Sequence, residues 1–104
     1  MQQLTDVNFH AKVRESTGPV VVLFSGDWCG PCQSFKSTFE QLSEQMKDVK
    51  FMVADLDDAP QTAGDLNIRS VPSLAVFTDG MVQEVASGTK QKADLRSWIQ
   101  DAIG

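Results

Sequence analysis

The chain has 104 residues, a formal net charge of −5 and 41% hydrophobic residues, which is typical of one soluble domain with a single core. The acidic charge argues against a nucleic-acid or anionic-membrane surface, because few basic side chains are available to neutralise phosphates. No apolar stretch approaches the roughly 20 residues that span a bilayer, and no export signal is visible at Met1, so we expect a cytoplasmic protein.

The first quarter of the chain predicts a helix followed by a buried strand. Thr5 and Asp6 can cap a helix from about Val7 to Ser16, and Thr17-Gly18-Pro19 ends that helix. The next residues, Val20 to Phe24, are continuously apolar and rich in β-branched side chains. A strand of that kind has both faces covered, as in the centre of a parallel sheet.

A longer helix is predicted next, and it begins between Cys29 and Pro31. Its apolar side chains recur at helical spacing, which indicates one buried face: Phe35, Phe39, Leu42 and Met46. A short apolar strand over 51–54 and a short helix from Pro60 to about Leu66 follow.

The last third of the chain predicts a hairpin and a final helix. Strands over 73–77 and 82–85 are joined across Asp79-Gly80, which is a strong hairpin signal. The last helix follows Gly88-Thr89 and carries one apolar stripe: Leu95, Trp98, Ile99, Ala102 and Ile103. Alternating strands and helices followed by a hairpin indicate an α/β fold, with a mixed sheet and helices on both faces.

The only two cysteines lie three residues apart, in Trp28-Cys29-Gly30-Pro31-Cys32, where the strand passes into the helix. This spacing lets the two sulfurs bond to each other, which is typical of a redox-active dithiol. Unpaired N–H groups at the start of the helix favour the thiolate of Cys29. We therefore expect Cys29 to be open to solvent and to attack a partner disulfide. Cys32 lies inside the first turn, so we expect it to be shielded and to release the partner.

Three other interpretations of the cysteine pair are open. A permanent structural disulfide would close too small a loop to constrain the unfolded chain much. A zinc site normally needs four ligands, and only His10 is a good candidate beyond the cysteines. Two buried apolar thiols would not need Gly30 and Pro31 between them. The acidic segment 55–58 is better explained by caps and turns than by a metal site.

At the cysteines the chain resembles the thioredoxin family, whose active-site sequence is Trp-Cys-Gly-Pro-Cys, as at 28–32 here. Further matches run nearly end to end: Phe24 before the active site, Val71-Pro72 before the fourth strand, Gly80 in the hairpin and Gly88 before the last helix. The resemblance implies the thioredoxin fold, an α/β architecture with a five-stranded mixed central sheet flanked by four helices.

The resemblance also implies a protein disulfide reductase in which Cys29 and Cys32 are catalytic. It implies a cis peptide bond between Val71 and Pro72, whereas the residues alone favour a trans proline that opens an edge strand. The Val71 backbone would pair with an extended segment of the partner. A shallow apolar recognition surface would surround the sulfur and consist of Trp28, Gly30, Pro31, Val71, Pro72 and Gly88.

The same resemblance implies that residues 1–104 form one thioredoxin domain and that the protein is a monomer. It also implies no bound cofactor or metal, since the cysteine pair is itself the redox group. Electrons would come from a thioredoxin reductase and pass to disulfide-containing client proteins. A second hypothesis is a redox-sensitive interaction module without reductase turnover. A third is an oxidant or isomerase outside the cytosol, although Gly-Pro between the cysteines resembles the reducing members of the family.

The chain departs from the family pattern at positions that bear on the redox chemistry. Bacterial-type thioredoxins usually carry a buried aspartate where this chain has Leu23, and often a partner lysine where it has Val53. Losing both is physically consistent, because a lone buried charge is costly. The aspartate is thought to help deprotonate the second cysteine, so we expect water or the departing thiolate to accept that proton here. Smaller departures that would tune the pair are Ser25, Asp27 and Gln33.

Overall fold

The computed structural model describes residues 1–104 as a five-stranded mixed sheet with helices on both faces. The strands are β1 (Gln2–Leu4), β2 (Pro19–Ser25), β3 (Lys50–Asp55), β4 (Ser73–Thr78) and β5 (Met81–Ser87). The helices are α1 (Gly30–Gln45), α2 (Pro60–Asp65), α3 (Lys92–Ile103) and a π-helical segment over His10–Arg14. This architecture confirms the predicted thioredoxin fold. None of these helices has the length and apolar character needed to cross a membrane.

The strands are ordered β1-β3-β2-β4-β5 across the sheet. β1, β3 and β2 run parallel, whereas β4 and β5 are antiparallel to their neighbours. β2 is the central strand, and the apolar run Val20 to Phe24 is completely buried, as its sequence predicts. The C-terminal end of β2 lies beside the N-terminal end of β4, because Phe24 pairs with Ser73.

The sheet separates two hydrophobic cores. One core lies under α1 and α3, where Phe39 of α1 packs against Phe51 of β3 with ring centroids 4.9 Å apart. The other lies under α2 and the π-helical segment, where Phe9 meets Phe77 edge to face at 5.7 Å. Because helices cover both faces, the sheet is rigid and holds in place the loops at the ends of its strands.

The first helix is shorter than predicted, and one of its expected caps acts elsewhere. The regular helix covers His10–Arg14 rather than about Val7 to Ser16. Ahead of it, the N–H groups of Phe9 and Lys12 donate to the carbonyls of Thr5 and Asn8, so part of the predicted turn is helical in its hydrogen bonding. Thr5 does cap the preceding turn, because its hydroxyl oxygen accepts the N–H groups of Val7 and Asn8. Asp6 instead reaches 56 residues along the chain, to the start of α2.

The Asp6 carboxylate caps α2. Its oxygens accept the backbone N–H groups of Gln61 and Thr62 and the Thr62 hydroxyl, at 2.8–3.1 Å. Partial desolvation raises the pKa of Asp6, but these three hydrogen bonds outweigh it and hold the pKa below its ordinary value. Asp6 thus ties the segment after β1 to the helix that follows β3.

Candidate active site

Cys29 lies where β2 gives way to α1. It is the N-cap residue of α1 and has extended backbone angles (φ −96°, ψ 109°). Its N–H donates to the carbonyl of Gly26 at 3.0 Å, which closes the turn between strand and helix. Pro31 occupies the first turn of α1, where its missing N–H would have no helical partner. The sequence prediction for this junction is confirmed.

The two cysteines are joined in a Cys29–Cys32 disulfide with their Cα atoms 5.3 Å apart. That separation lies within the usual range for a disulfide, so the helix turn presents the two sulfurs to each other without rearrangement. The structure therefore holds the oxidised form of the pair, and no free cysteine remains.

The side chains that could bind a metal are dispersed over the structure. No group of three or more histidine, cysteine, aspartate or glutamate side chains is placed to hold a metal ion. His10 lies on the π-helical segment with its side chain largely exposed and 3.7 Å from Glu15. Asp55 accepts the N–H of Asp57 in the turn after β3, so the acidic segment has the turn role that its sequence predicts.

The expectation that Cys29 is open to solvent is wrong for this oxidised form. Cys29 is only 6% exposed and Cys32 is 1% exposed. Bonding to Cys32 itself covers one side of the Cys29 sulfur, which is a physical reason for the low value. The predicted order remains, since Cys32 within the helix turn is the more shielded of the two.

Trp28 supplies the exposed apolar surface beside the disulfide. Its side chain is 64% exposed, which is unusual for a tryptophan. The indole lies against Gly26, where an added Cβ would come within 2.8 Å of the ring carbon Cε2. Sequence reasoning missed this role of Gly26. The available signal was a glycine two residues before an exposed aromatic side chain in a tight turn.

The Val71–Pro72 peptide bond is cis, as the family resemblance predicts. Pro72 is buried and Val71 is partly exposed directly before β4. The carbonyl of Pro72 accepts the N–H of Gly88 at 2.8 Å, which holds the ends of β4 and β5 together. Pro72 and Gly88 thus meet next to the C-terminal end of β2. Gly30 and Pro31 are exposed at the start of α1.

The four positions predicted to tune the cysteine pair have different surroundings. Leu23 is fully buried and pairs with Val53 across β2 and β3. Ser25 is partly buried, and its carbonyl accepts the N–H of Leu56 at 2.8 Å. Asp27 and Gln33 are exposed. The hydrocarbon pair at Leu23 and Val53 leaves no charge in the sheet behind the cysteines.

The chain is similar over nearly its whole length to proteins of one family. The family model "Thioredoxin" matches residues 1–101. The chain is 33% identical over 104 residues to a thioredoxin of Rickettsia typhi, with 99% of each chain covered. It is 33% identical over 105 residues to a thioredoxin of Rhodospirillum rubrum, covering 99% of this chain and 100% of the relative. It is 34% identical over 95 residues to a thioredoxin of Streptomyces clavuligerus, covering 91% and 89%.

Proposed function

This chain belongs to the thioredoxin family, and on that basis we propose that it reduces protein disulfides by a two-step exchange in which Cys29 attacks and Cys32 resolves. The family consists of disulfide oxidoreductases that need no bound cofactor, because a cysteine pair is the redox group. Thioredoxin-type dithiol–disulfide exchange is therefore the activity of this chain. The observation that carries the proposal is the Cys29–Cys32 disulfide at the N-terminus of α1, in a chain with no other cysteine.

The division of roles is supported by the position of each sulfur on α1. Cys29 is the N-cap residue, so the unpaired N–H groups of the first turn favour negative charge near its sulfur after reduction. Cys32 lies within that turn and is the more buried residue. A thiolate at Cys29 is thus the better placed nucleophile, and Cys32 is held close to attack the mixed disulfide.

The two steps balance in atoms and electrons. In the first, the Cys29 thiolate bonds to one sulfur of the client disulfide, the client S–S bond breaks, and the released client thiolate takes a proton. In the second, Cys32 loses its proton and its thiolate attacks the Cys29 sulfur, which displaces the second client thiolate. The client gains two electrons and two protons, and the cysteine pair becomes the disulfide seen here.

The proton of Cys32 needs an acceptor that is not a carboxylate in the sheet. Leu23 and Val53 fill the positions of the family's buried aspartate and its partner lysine. We propose that water near the pair or the departing client thiolate accepts this proton.

The recognition surface in the proposal is shallow and mainly apolar. The client would lie over Trp28 and pair with the backbone of Val71 in an extended conformation, as an added strand does. The exposure of Trp28 and the position of Val71 ahead of β4 support this arrangement. The other proposed members of the surface are Gly30, Pro31, Pro72 and Gly88. Few of these contacts depend on client side chains, which suits a protein with many clients.

Further parts of the proposal concern the cellular setting. We place the protein in the cytosol as a monomer whose residues 1–104 act as one domain, and we expect no nucleic-acid or membrane partner for its acidic surface. It would carry electrons from a thioredoxin reductase to disulfide-containing clients and so contribute to cell redox homeostasis. The Gly-Pro pair between the cysteines, shared with reducing members of the family, supports a reducing role.

One assay tests the exchange and the division of roles together. Catalysed reduction of insulin by dithiothreitol is measured with the parent, Cys29→Ser and Cys32→Ser. We expect catalysis to be lost in both variants and a trapped mixed disulfide to accumulate only with Cys32→Ser. A parent no faster than the uncatalysed background would contradict reductase turnover and leave the redox-sensitive interaction module.

A further inference from the structure

An open groove lies beside the cysteine pair, between α1 and the segment that joins β5 to α3. Its volume is about 330 Å³, and the exposed atoms of its walls are mostly carbon, although most of its lining residues are polar. Pro31, Ser34, Phe35 and Thr38 of α1 form one wall, and residues 89–91 form the other. The groove is continuous with the proposed recognition surface, because Pro31 belongs to both and Gly88, hydrogen-bonded to Pro72, directly precedes the second wall.

Lys90 is the one charged residue that lines this groove. Its Nζ lies 5.4 Å from the centre of the Trp98 ring, so the indole face holds the lysine side chain in place. The only ion pair of the structure joins His10 to Glu15, so the Lys90 ammonium has no carboxylate partner. A side chain that is already ordered loses less conformational freedom on binding an anion than a free lysine does.

The charges around the cysteine pair are arranged asymmetrically. Asp55 is the last residue of β3, and Asp57 and Asp58 follow it, while Asp27 lies in the turn between β2 and α1. Lys90 lies beyond β5, and the sheet order β3-β2-β4-β5 puts it and the acidic segment 55–58 on opposite sides of the junction between β2 and α1. A client carboxylate is therefore repelled from the first side and attracted to the second.

We propose that this groove binds a carboxylate-bearing segment next to the attacked cysteine of a client polypeptide, and that Lys90 selects clients with an acidic residue there. The inference rests on the proposed function, since the client is the one whose disulfide Cys29 attacks. Apolar atoms of the client segment would contact the exposed Pro31, and its carboxylate would pair with the Lys90 ammonium.

The test uses three symmetrical peptide disulfides. Each consists of two copies of one peptide, joined at a central cysteine whose neighbours two and three residues away on both sides are all Glu, all Gln or all Lys. Placing the charges on both sides makes the result independent of the direction in which the peptide binds. The protein is reduced beforehand, and the second-order rate constant for consuming each peptide is measured in acid-quenched samples at low salt.

The readout is the ratio of the rate constants for the Glu and Gln peptides. Lys90→Met keeps an unbranched stem over Trp98 without the charge, and we expect it to lower this ratio about two- to fivefold, as for an exposed ion pair. Lys90→Arg keeps the charge and should keep the ratio, and Lys90→Glu should lower it further. At about 1 M salt the differences should disappear, because the Debye length falls to about 3 Å.

Lys47→Glu is the matched control. Lys47 is an exposed lysine between α1 and β3, and it lies at the end of the sheet opposite the active site. The substitution makes the same change in net charge as Lys90→Glu and should leave the ratio as in the parent. Equal ratios in the parent and all Lys90 variants, or an equal fall in Lys47→Glu, would overturn the assignment of Lys90. A parent that reduces none of the three peptides would instead overturn the proposed reductase function.

Discussion

Leu23 of β2 and Val53 of β3 are direct partners across two parallel strands, and both side chains are fully buried. The family resemblance implies an aspartate and often a lysine at these two positions. This chain instead has two hydrocarbon residues at adjacent points of the central sheet. Such a replacement avoids the desolvation cost of a buried ion pair, whereas exchanging only one of the two would leave an uncompensated buried charge.

Restoring only the aspartate should destabilise the protein. Leu23→Asp places a carboxylate beside Val53, which cannot pair with it, so we expect the free energy of unfolding in urea to fall by about 3–5 kcal/mol. If a carboxylate at this position accepts the Cys32 proton, the variant should also resolve a mixed disulfide faster than the parent.

Two further variants separate the charge from the loss of packing. Leu23→Asn removes the same hydrocarbon without adding a charge, and Leu23→Asp with Val53→Lys supplies a partner, so both should be more stable than Leu23→Asp at neutral pH. If Leu23→Asp were as stable as the parent and resolved mixed disulfides no faster, this account of the site would be wrong.

Gly26 should control the position of the Trp28 indole. In Gly26→Ala the new Cβ would lie 2.8 Å from the ring, so the exposed indole must move away. We expect a shifted tryptophan emission and slower insulin reduction, but a loss of less than about 1 kcal/mol in stability, because the ring is free to move into solvent. Unchanged emission and an unchanged rate would show that this contact does not set the ring position.

Gly64→Ala provides the control for this prediction. Gly64 lies within α2, and a Cβ there meets no atom within 4 Å. Replacing a helical glycine with alanine should raise the free energy of unfolding by about 0.5–1 kcal/mol and leave the tryptophan emission unchanged.

The sequence predicts the central part of the fold well, because its signals are strong and local. The apolar run at 20–24, the dithiol at a strand–helix junction and the Asp79-Gly80 hairpin each have one favoured structural interpretation. The cis bond at Val71–Pro72 is different, because it followed from the family resemblance and not from the residues.

The features that the sequence did not predict depend on distant contacts. β1 is three residues long with two exposed glutamines, so it has no apolar pattern and exists by pairing with β3. Asp6 acts on α2, and Gly26 acts on an aromatic ring, and neither partner can be deduced from local spacing. Exposure of Met81, Val82 and Val85 on β5 reflects the position of that strand at the sheet edge.

Asp6 should make the stability depend on pH in the acid range. Its pKa in the folded protein lies below the ordinary value of 3.8. Its stabilising contribution is therefore fully present above pH 3.8 and is lost as the pH falls through the folded-state pKa. We expect Asp6→Asn to have a lower urea midpoint than the parent at neutral pH, with the difference shrinking below pH 3.8.

The exposed Asp48 provides the comparison, because its side chain takes part in none of the hydrogen bonds that hold Asp6. Asp48→Asn should follow the parent at every pH. A difference between the parent and Asp6→Asn that stays constant from pH 7 to pH 2 would contradict the role of the carboxylate charge.

Gly80 should tolerate a side chain less well than Gly18, although both have a positive φ, of 83° and 77°. An alanine at either position incurs about 1–2 kcal/mol for the left-handed conformation. At Gly18 a Cβ meets no atom within 4 Å, whereas at Gly80 it collides with the backbone carbonyl of Arg14. Gly80→Ala should therefore lower the free energy of unfolding in urea by clearly more than Gly18→Ala does. Equal losses for the two variants would contradict this prediction. They would mean that the Arg14 backbone moves away from the hairpin at no cost in free energy.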